Sequence, residues 1–192
     1  MPKQRITKEM VVEAAFEIAR EYGVDKVLVK NIAEKIGCSV QPIYSYCSNM
    51  EGLKTDLYER TRAFFREYVA AHLEKDNFFQ STGKSYLYLA KEEPHLYEFY
   101  FLKKSPNRIC SSLEELYQQE CSLSVAEHLA QELSISLESA KKLHLHMIIY
   151  NSGIASIQIA SGFGLDMKEL EQQLQMAYEA FWVKIRKEEE NE

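Results

Sequence analysis

A short stretch near the start of the chain gathers side chains that can read a DNA base edge or hold a phosphate. Gln41 carries the donor and the acceptor needed to pair with a base edge, and Val40 and Pro42 can pack against a thymine methyl group. Hydroxyl groups suited to phosphate oxygens follow at Tyr44, Ser45 and Tyr46. Tyr44 can also be a core aromatic, and one residue can serve both roles.

Two predicted helices position these side chains. Ile32, Ala33 and Ile36 repeat at helical spacing and stop at Gly37, a residue that commonly ends a helix. Ser39 then suits the N-cap of a second short helix, and we count it among the predicted DNA-binding residues. Two short helices joined at a glycine turn are typical of a helix-turn-helix.

The segments on either side of these helices are predicted to brace them and to add charge. A first helix is expected to begin at an N-cap on Thr7 and to end at Gly23. A fourth helix is expected from a capping box at Ser48, and it carries Lys54. Lys54 and Lys30, on the second helix, are predicted to contact phosphates. Residues 1–50 are therefore interpreted as a helix-turn-helix DNA-binding domain.

The composition of the chain favours an all-α fold of about nine helices, with residues 51–192 forming a second helical domain. The 192 residues include only seven glycines and four prolines, so few residues interrupt helices. No apolar run approaches the roughly 20 residues that span a bilayer. The polar N-terminal sequence does not resemble a secretory signal. These features predict a cytoplasmic protein without a membrane partner.

Charge is distributed unevenly along the chain. The formal net charge is −6, which argues against a uniformly basic nucleic-acid binder. Through Arg66, however, eleven Lys and Arg residues face nine Asp and Glu residues, whereas the remainder carries twelve against twenty. A mildly basic first third on an acidic body fits a DNA-reading part followed by a part that does not touch DNA.

The middle of the chain is rich in aromatic residues that could line a small-molecule pocket between helices. Alternatively, these side chains fill an ordinary helical core. The predicted ligand-binding residues are Tyr86, Tyr97, Tyr100, Phe101, Tyr117, His144 and Tyr150.

The last two predicted helices carry the features of a dimer interface. A strip of small residues on the long helix from about Ser136 to Ser161 would let another helix approach closely, and the last helix has an apolar stripe. We expect a hairpin that pairs with its copy in a four-helix interface, with packing inside one chain as the alternative. The predicted interface residues are Ser152, Gly153, Ser156, Ala160, Leu174, Tyr178 and Phe181.

The stretch from Gly23 to Leu53 resembles the N-terminal signature of the TetR family of transcriptional regulators. The resemblance rests on Gly23, Ile32, Ala33, Gly37, Ser39, Tyr44 and Leu53. It implies a homodimeric regulator whose effector, bound in the second domain, changes the spacing of the two DNA-binding heads. Three positions depart from the pattern: Leu28 stands where Ser or Thr is usual, Cys47 where an aromatic is usual, and Met50 where Lys is usual.

Other chemistries have little support in the sequence. His144 and His146 lie two apart, so on a helix they point in different directions and cannot easily share a metal. No nucleophile elbow, phosphate loop or H-E-x-x-H motif is present. We therefore predict a protein that is not an enzyme and needs neither a cofactor nor a metal.

The sequence as a whole predicts a DNA-binding transcriptional regulator, a repressor released from its operator by a small-molecule effector. Two alternatives stay open. One is a redox-responsive regulator that uses the thiol of Cys110 or Cys121. The other is a helical interaction adaptor that has lost DNA binding, which the departures at Leu28 and Met50 would explain.

Overall fold

The computed structural model describes residues 6–46, 50–103, 110–162 and 164–190. These residues contain ten α-helices and no strand, which confirms the all-α prediction. The helices are α1 Lys8–Tyr22, α2 Val29–Ile36, α3 Val40–Tyr46, α4 Met50–Ala71, α5 Phe78–Glu92, α6 Pro94–Tyr97, α7 Leu113–Glu120, α8 Leu123–Leu133, α9 Leu137–Ala160 and α10 Met167–Glu189.

The ends of the first helices follow their sequence signals. The Thr7 hydroxyl oxygen accepts a hydrogen bond from the backbone N–H of Met10 at 3.3 Å, which caps α1. Gly37 ends α2 with φ at +77°, a left-handed conformation that glycine adopts without strain. Leu28 occupies the N-cap position of α2 and provides no side-chain cap. The predicted capping box at Ser48 and the departure at Cys47 lie outside the described residues.

The described residues group into two compact units. The first unit lies within residues 1–68 and 92–107, and the second within residues 69–91 and 108–192. Because α4 and α5 each run past one of these limits, the chain leaves the first unit near the end of α4 and returns to it at the end of α5. The functional boundary expected after residue 50 stays a prediction.

A small apolar core holds α1, α2 and α3 together in the first unit. Val11 and Ala15 of α1, Ile32 of α2 and Ile43 of α3 are all completely buried. Ile43 is the inward-facing residue of a seven-residue helix, so its burial fixes which side of α3 faces outward. Burying one such side chain stabilises the fold by roughly 1.5–3 kcal/mol.

The first unit also contains a cluster of aromatic rings, which we call the ring cluster: Tyr58, Phe65, Tyr97, Tyr100 and Phe101. The rings of Tyr58 and Tyr100 stack with centroids 4.4 Å apart, and those of Phe65 and Phe101 stack at 5.7 Å. Tyr97 packs against Phe101 at 4.6 Å. Rings in contact with rings fill this part of the unit.

An ion pair joins α1 to the residue that precedes α6, within the same unit. Arg20 Nε donates to both carboxylate oxygens of Glu93 at 2.9 and 2.8 Å, and a second guanidinium nitrogen also donates to this group. Glu93 is buried, so the ion pair with Arg20 offsets the cost of removing its carboxylate from water.

The second unit is built around α9, which packs against α8 and α10. Three polar residues, His144, Asn151 and Gln158, recur on α9 at intervals of seven and are all buried. This spacing places them on one face of the helix. Among the described residues, no helix is long and apolar enough to cross a membrane.

Candidate nucleic-acid interface and ligand cavity

Helix α3 presents one continuous outer face to solvent. Val40, Gln41, Tyr44 and Ser45 are exposed, whereas Ile43 faces the core. Tyr44 is 62% exposed, which excludes the alternative that it is a core aromatic of this chain. The residues predicted to read or hold DNA therefore lie together on the side of α3 that a partner can reach.

The remaining predicted residues of this segment frame that face. Ser39 directly precedes α3 and is exposed, Pro42 is half-buried, and Tyr46 is exposed at the end of the helix. The Ser45 hydroxyl donates to the backbone carbonyl of Gln41 at 3.4 Å, which leaves the Gln41 side-chain amide available to a partner.

Several cations of the first unit are held in ion pairs on its surface. Lys8 pairs with Asp56 at 2.8 Å, and Lys35 pairs with Glu17 at 2.7 Å. The ion pair of Arg60 with Glu13, at 2.8 Å, is of the same kind.

Three lysines near the helix-turn-helix differ from these paired cations. Lys26, Lys30 and Lys54 are exposed and make no ion pair within 4.0 Å with any residue that the structure describes. The pKa of the Asp25 carboxyl is lowered mainly by the hydrogen bond and the charge of Lys103, with smaller contributions from the charges of Lys54 and Lys26. Lys26 was not among the predicted DNA-binding residues. It lies three residues before α2 and, like Lys30, is an exposed lysine.

A cavity of about 60 Å³ lies within the second unit, between α5, α9 and α10. Its lining is mainly apolar and aromatic, with a few polar groups. The lining residues are Phe79, Gln80, Thr82, Gly83, Lys84, Tyr86, His144, Met147, Ile148, Asn151, Glu171, Leu174, Gln175 and Tyr178. A water molecule needs roughly 10–15 Å³ measured in this way, so the space admits several waters or a small organic group.

The histidine of the cavity is neutral at physiological pH. Burial lowers the pKa of His144 to about 4. Its Nδ1 lies 3.0 Å from the hydroxyl of Tyr117, whose pKa is raised by burial. The pair therefore adds hydrogen-bonding capacity without adding charge.

Two amide oxygens near the cavity have no partner. The Asn151 amide nitrogen donates to the backbone carbonyl of Gly83 at 2.8 Å, which fixes the orientation of that side chain. Asn151 Oδ1 and Gln80 Oε1 are buried and accept no hydrogen bond from the described residues. An unsatisfied buried acceptor costs roughly 1–3 kcal/mol, so these groups do not stabilise the unit.

The charged groups of the cavity compensate each other. Glu171 accepts a hydrogen bond from the Tyr88 hydroxyl at 2.6 Å and pairs with Lys84 Nζ at 3.2 Å. The hydrogen bond from Tyr88, followed by that from Lys84, lowers the pKa of the Glu171 carboxyl. The carboxylate is therefore ionised and neutralised, and the lining carries no net charge.

The predicted ligand-binding residues divide between the two units. Tyr86 and His144 line the cavity, and Tyr117 contacts His144. Tyr150 packs edge-on against Phe181 at 6.3 Å and is not part of the lining. Tyr97, Tyr100 and Phe101 belong to the ring cluster of the first unit, so these three do not share the cavity.

The predicted dimer residues also divide. Gly153 and Ala160 are exposed on α9, while Ser152 and Ser156 are half-buried. Leu174 and Tyr178 line the cavity of their own chain, and Phe181 stacks on the ring of His146 at 5.1 Å.

An apolar face on α9 and α10 stays open in the single chain. Ile157 is 59% exposed and Met176 is 55% exposed, with Ile149 and Val183 similar. On α9, Ile149, Gly153 and Ile157 recur every four residues, so they form one stripe. None of these four large apolar residues was among the predicted interface residues.

A solved structure shares the architecture of this chain. A crystal structure of a transcriptional regulator from Rhodococcus sp. Rha1 superposes with a TM-score of 0.59 at 13% identity, covering 92% of this chain and 96% of that one. The two proteins share a fold. No protein-family model matches the chain.

A curated relative carries a similar name. The chain is 26% identical over 110 residues to YobS of Bacillus subtilis (strain 168), an uncharacterized HTH-type transcriptional regulator. The match covers 56% of this chain and spans only 58% of that relative. The chain is thus similar to named transcriptional regulators both in sequence and in fold.

The thiol of Cys121 is poorly suited to redox chemistry. Burial raises the pKa of the Cys121 thiol to about 12, with a further contribution from Glu120, so the reactive thiolate is scarce at neutral pH. The Cys110 thiol donates to Gln119 Oε1 at 3.2 Å. No group of three or more metal-ligating side chains occurs in the described part of the chain.

Proposed function

We propose that the protein is a DNA-binding transcriptional regulator of the TetR type, acting in the cytoplasm as a homodimeric repressor that a small-molecule effector releases from its operator. It is a regulator without catalytic activity. The observation that carries the proposal is the outer face of α3, where Val40, Gln41 and Tyr44 are exposed on a helix fixed by the burial of Ile43. The similarity to named transcriptional regulators supports it.

DNA docking uses the two sets of groups around the helix-turn-helix. The face of α3 enters the major groove, where side chains can reach base edges. Lys26, Lys30 and Lys54 are exposed and unpaired among the described residues, so they are available to phosphates. Phosphate contacts supply affinity and register, and α3 supplies the choice of sequence.

The test of DNA binding uses duplexes from the region that flanks the protein's own gene. We expect one fragment to bind at moderate salt, with an affinity that falls as salt rises. Gln41→Ala combined with Tyr44→Ala should abolish the preference for that fragment. The same change at exposed Gln131 of α8, Gln131→Ala, should leave it intact. An adaptor without DNA binding would retain no fragment at moderate salt.

Dimerisation is supported by the open apolar face of α9 and α10. An operator with two half-sites about one helical turn apart requires two recognition helices, and a twofold dimer supplies them. Light scattering is expected to give twice the chain mass for the native protein. Ile157→Glu should yield a monomer, whereas Leu123→Glu, on exposed α8, should stay dimeric. A native protein that is monomeric at micromolar concentration would exclude this assembly.

The effector site is assigned to the cavity of the second unit. Its lining is apolar, the pair of Glu171 and Lys84 is neutralised, and His144 is uncharged. A charged ligand would lose its hydration without gaining a partner charge, so an uncharged, largely apolar molecule is favoured. Such a molecule acts as an effector by binding better to the state that does not dock on DNA.

Mass spectrometry of small molecules extracted from the purified protein would identify candidates for this site. Each candidate is expected to raise the melting temperature and to lower affinity for the operator. Ligands that bind with equal affinity in the presence and absence of operator would contradict the release mechanism, because coupling between two sites is reciprocal.

A further inference from the structure

The outer face of α3 carries no charge. The sequence from Cys38 to Met50 contains no Asp, Glu, Lys, Arg or His, a run of neutral residues that includes all of α3. The exposed side chains on this face are an amide at Gln41, an aliphatic group at Val40, and hydroxyls at Tyr44 and Ser45. Any base that α3 reads must therefore be read by neutral groups.

Neutral groups restrict which base pairs can be recognised. The common contact to guanine is a cationic one, from Arg or Lys to the O6 and N7 acceptors, and a contact to cytosine N4 uses a carboxylate. Neither side-chain type is present on α3. Adenine, by contrast, pairs with the amide of Asn or Gln through N6 and N7, and the thymine methyl group takes apolar contacts.

The geometry of α3 presents both of the required groups together. Val40 and Gln41 are adjacent in sequence and both exposed, so the first turn of α3 presents both side chains to solvent, where they can reach neighbouring base pairs. The Ser45 hydroxyl is turned back onto the Gln41 carbonyl at 3.4 Å, which leaves the Gln41 amide as the principal hydrogen-bonding group of that turn. The ring of Tyr44, 62% exposed, extends the apolar surface by one turn.

We propose that each operator half-site presents consecutive A·T base pairs to the outer face of α3. Gln41 pairs with an adenine, and Val40 and the Tyr44 ring contact thymine methyl groups. This inference rests on the proposed function, since it requires α3 to be the recognition helix. It adds the base composition of the site that this helix reads and the residue that sets it.

Selection from a library of duplexes with a randomised central region, using the full-length chain, tests the inference. The enriched sequences should be palindromic, with A·T pairs at adjacent positions in each half-site. Replacing the adenine that faces Gln41 by guanine is expected to lower affinity roughly tenfold, the scale of one good bidentate contact.

Variants at Gln41 identify which base this residue reads. Gln41→Arg is expected to change the selected pair from A·T to G·C at one position of each half-site and to leave the other positions unchanged. Gln41→Ala should remove the preference at that position only. Gln131→Arg adds the same charge on exposed α8 and should not alter the selected sequence.

The outcomes separate this inference from the function on which it rests. If the native protein enriched G·C pairs at the positions whose preference changes in the Gln41 variants, the inference would be overturned. The proposed function as a DNA-binding regulator would still stand. A Gln41→Ala variant that loses affinity equally for all duplexes would also overturn it. A selection that enriches no duplex above the input would overturn the proposed DNA binding itself.

Discussion

The two units of this protein use aromatic residues in opposite ways. In the ring cluster of the first unit, Tyr58 stacks on Tyr100 and Phe65 on Phe101, so rings fill the space. In the second unit, aromatic rings surround a cavity and share it with buried polar side chains such as Asn151. The comparison shows that an aromatic-rich stretch becomes a core or a cavity depending on what it packs against.

The two units also differ in how fully the hydrogen bonds of their buried polar groups are satisfied. In the first unit the carboxylate of Glu93 is satisfied by Arg20. In the second unit, the hydrogen bonds of His144, Asn151 and Gln158 on α9 are only partly satisfied. His144 bonds to Tyr117 and Asn151 to Gly83, but Asn151 Oδ1 and Gln158 Oε1 find no partner in the described part of the chain. Partly satisfied polar groups lower stability where they occur, which is a common feature of binding sites.

The largest expected effect comes from removing a ring of the ring cluster. Phe65→Ala is expected to lower the free energy of unfolding by about 3–5 kcal/mol, since Phe65 is buried against two other rings of the ring cluster, those of Tyr100 and Phe101. Phe79→Ala should cost less, because one side of that ring already faces the cavity. Denaturant titrations of both variants measure the difference. Equal losses would mean that the cavity side is packed as tightly as the ring cluster.

A pH titration should reveal the buried histidine of the second unit. The folded pKa of His144 is about 4, below the ordinary value of 6.5. Between these values the unfolded chain binds a proton that the folded chain does not, so stability is complete above pH 6.5 and falls as pH drops toward 4. The fall is expected to reach about 3 kcal/mol at most.

The matched variants for this titration are His144→Phe and His128→Gln. His144→Phe should flatten the pH dependence in this window, whereas His128→Gln, at an exposed position, should keep it. The prediction fails if His144→Phe loses stability over this window as steeply as the native protein.

Breaking the satisfied ion pair of the first unit should have a smaller effect. Arg20→Met leaves the Glu93 carboxylate buried without a partner, and we expect a loss of about 2 kcal/mol, less than for a fully buried pair because Arg20 is partly exposed. Arg186→Met removes an exposed pair with Glu190 and should change stability by less than about 0.5 kcal/mol. Thermal unfolding of the two variants would expose any error in this ranking.

The smallest effect is expected where a polar group is already unsatisfied. Asn151→Leu replaces the amide and its unpaired acceptor by a larger apolar side chain of similar branching, which the adjoining cavity can accommodate. The free energy of unfolding should therefore stay within about 1 kcal/mol of the native value. Asn151→Ala, which leaves a void, should be less stable than Asn151→Leu. A large loss in Asn151→Leu would show that the bond to the Gly83 carbonyl is essential to the unit.

Local signals in the sequence predicted the helix-turn-helix well. Thr7 caps α1, Gly37 ends α2 in the left-handed conformation, and α3 begins directly after Ser39. These features depend on neighbouring residues alone, because a cap or a positive φ angle is decided within one turn.

The second unit was less predictable because its features depend on contacts distant in sequence. Aromatic content could not show that Tyr97 would join the ring cluster while Tyr86 would line the cavity. One pattern is nevertheless visible in the sequence: His144, Asn151 and Gln158 recur every seven residues along α9. This pattern marks a polar row on one face, and such rows need partners that the sequence does not name.

The neutral surface of α3 has a consequence for how the protein could be redesigned. Under the proposed function, attraction to DNA and choice of sequence depend on different parts of the chain, because the exposed lysines Lys26, Lys30 and Lys54 all lie outside α3. Replacing Val40, Gln41 and Tyr44 by other neutral residues would therefore change the preferred DNA sequence and leave the salt dependence of binding unchanged. Under the proposed function, the exposed residues of α3 can be exchanged as a set. Variants with different sets would then bind different operators in the same cell.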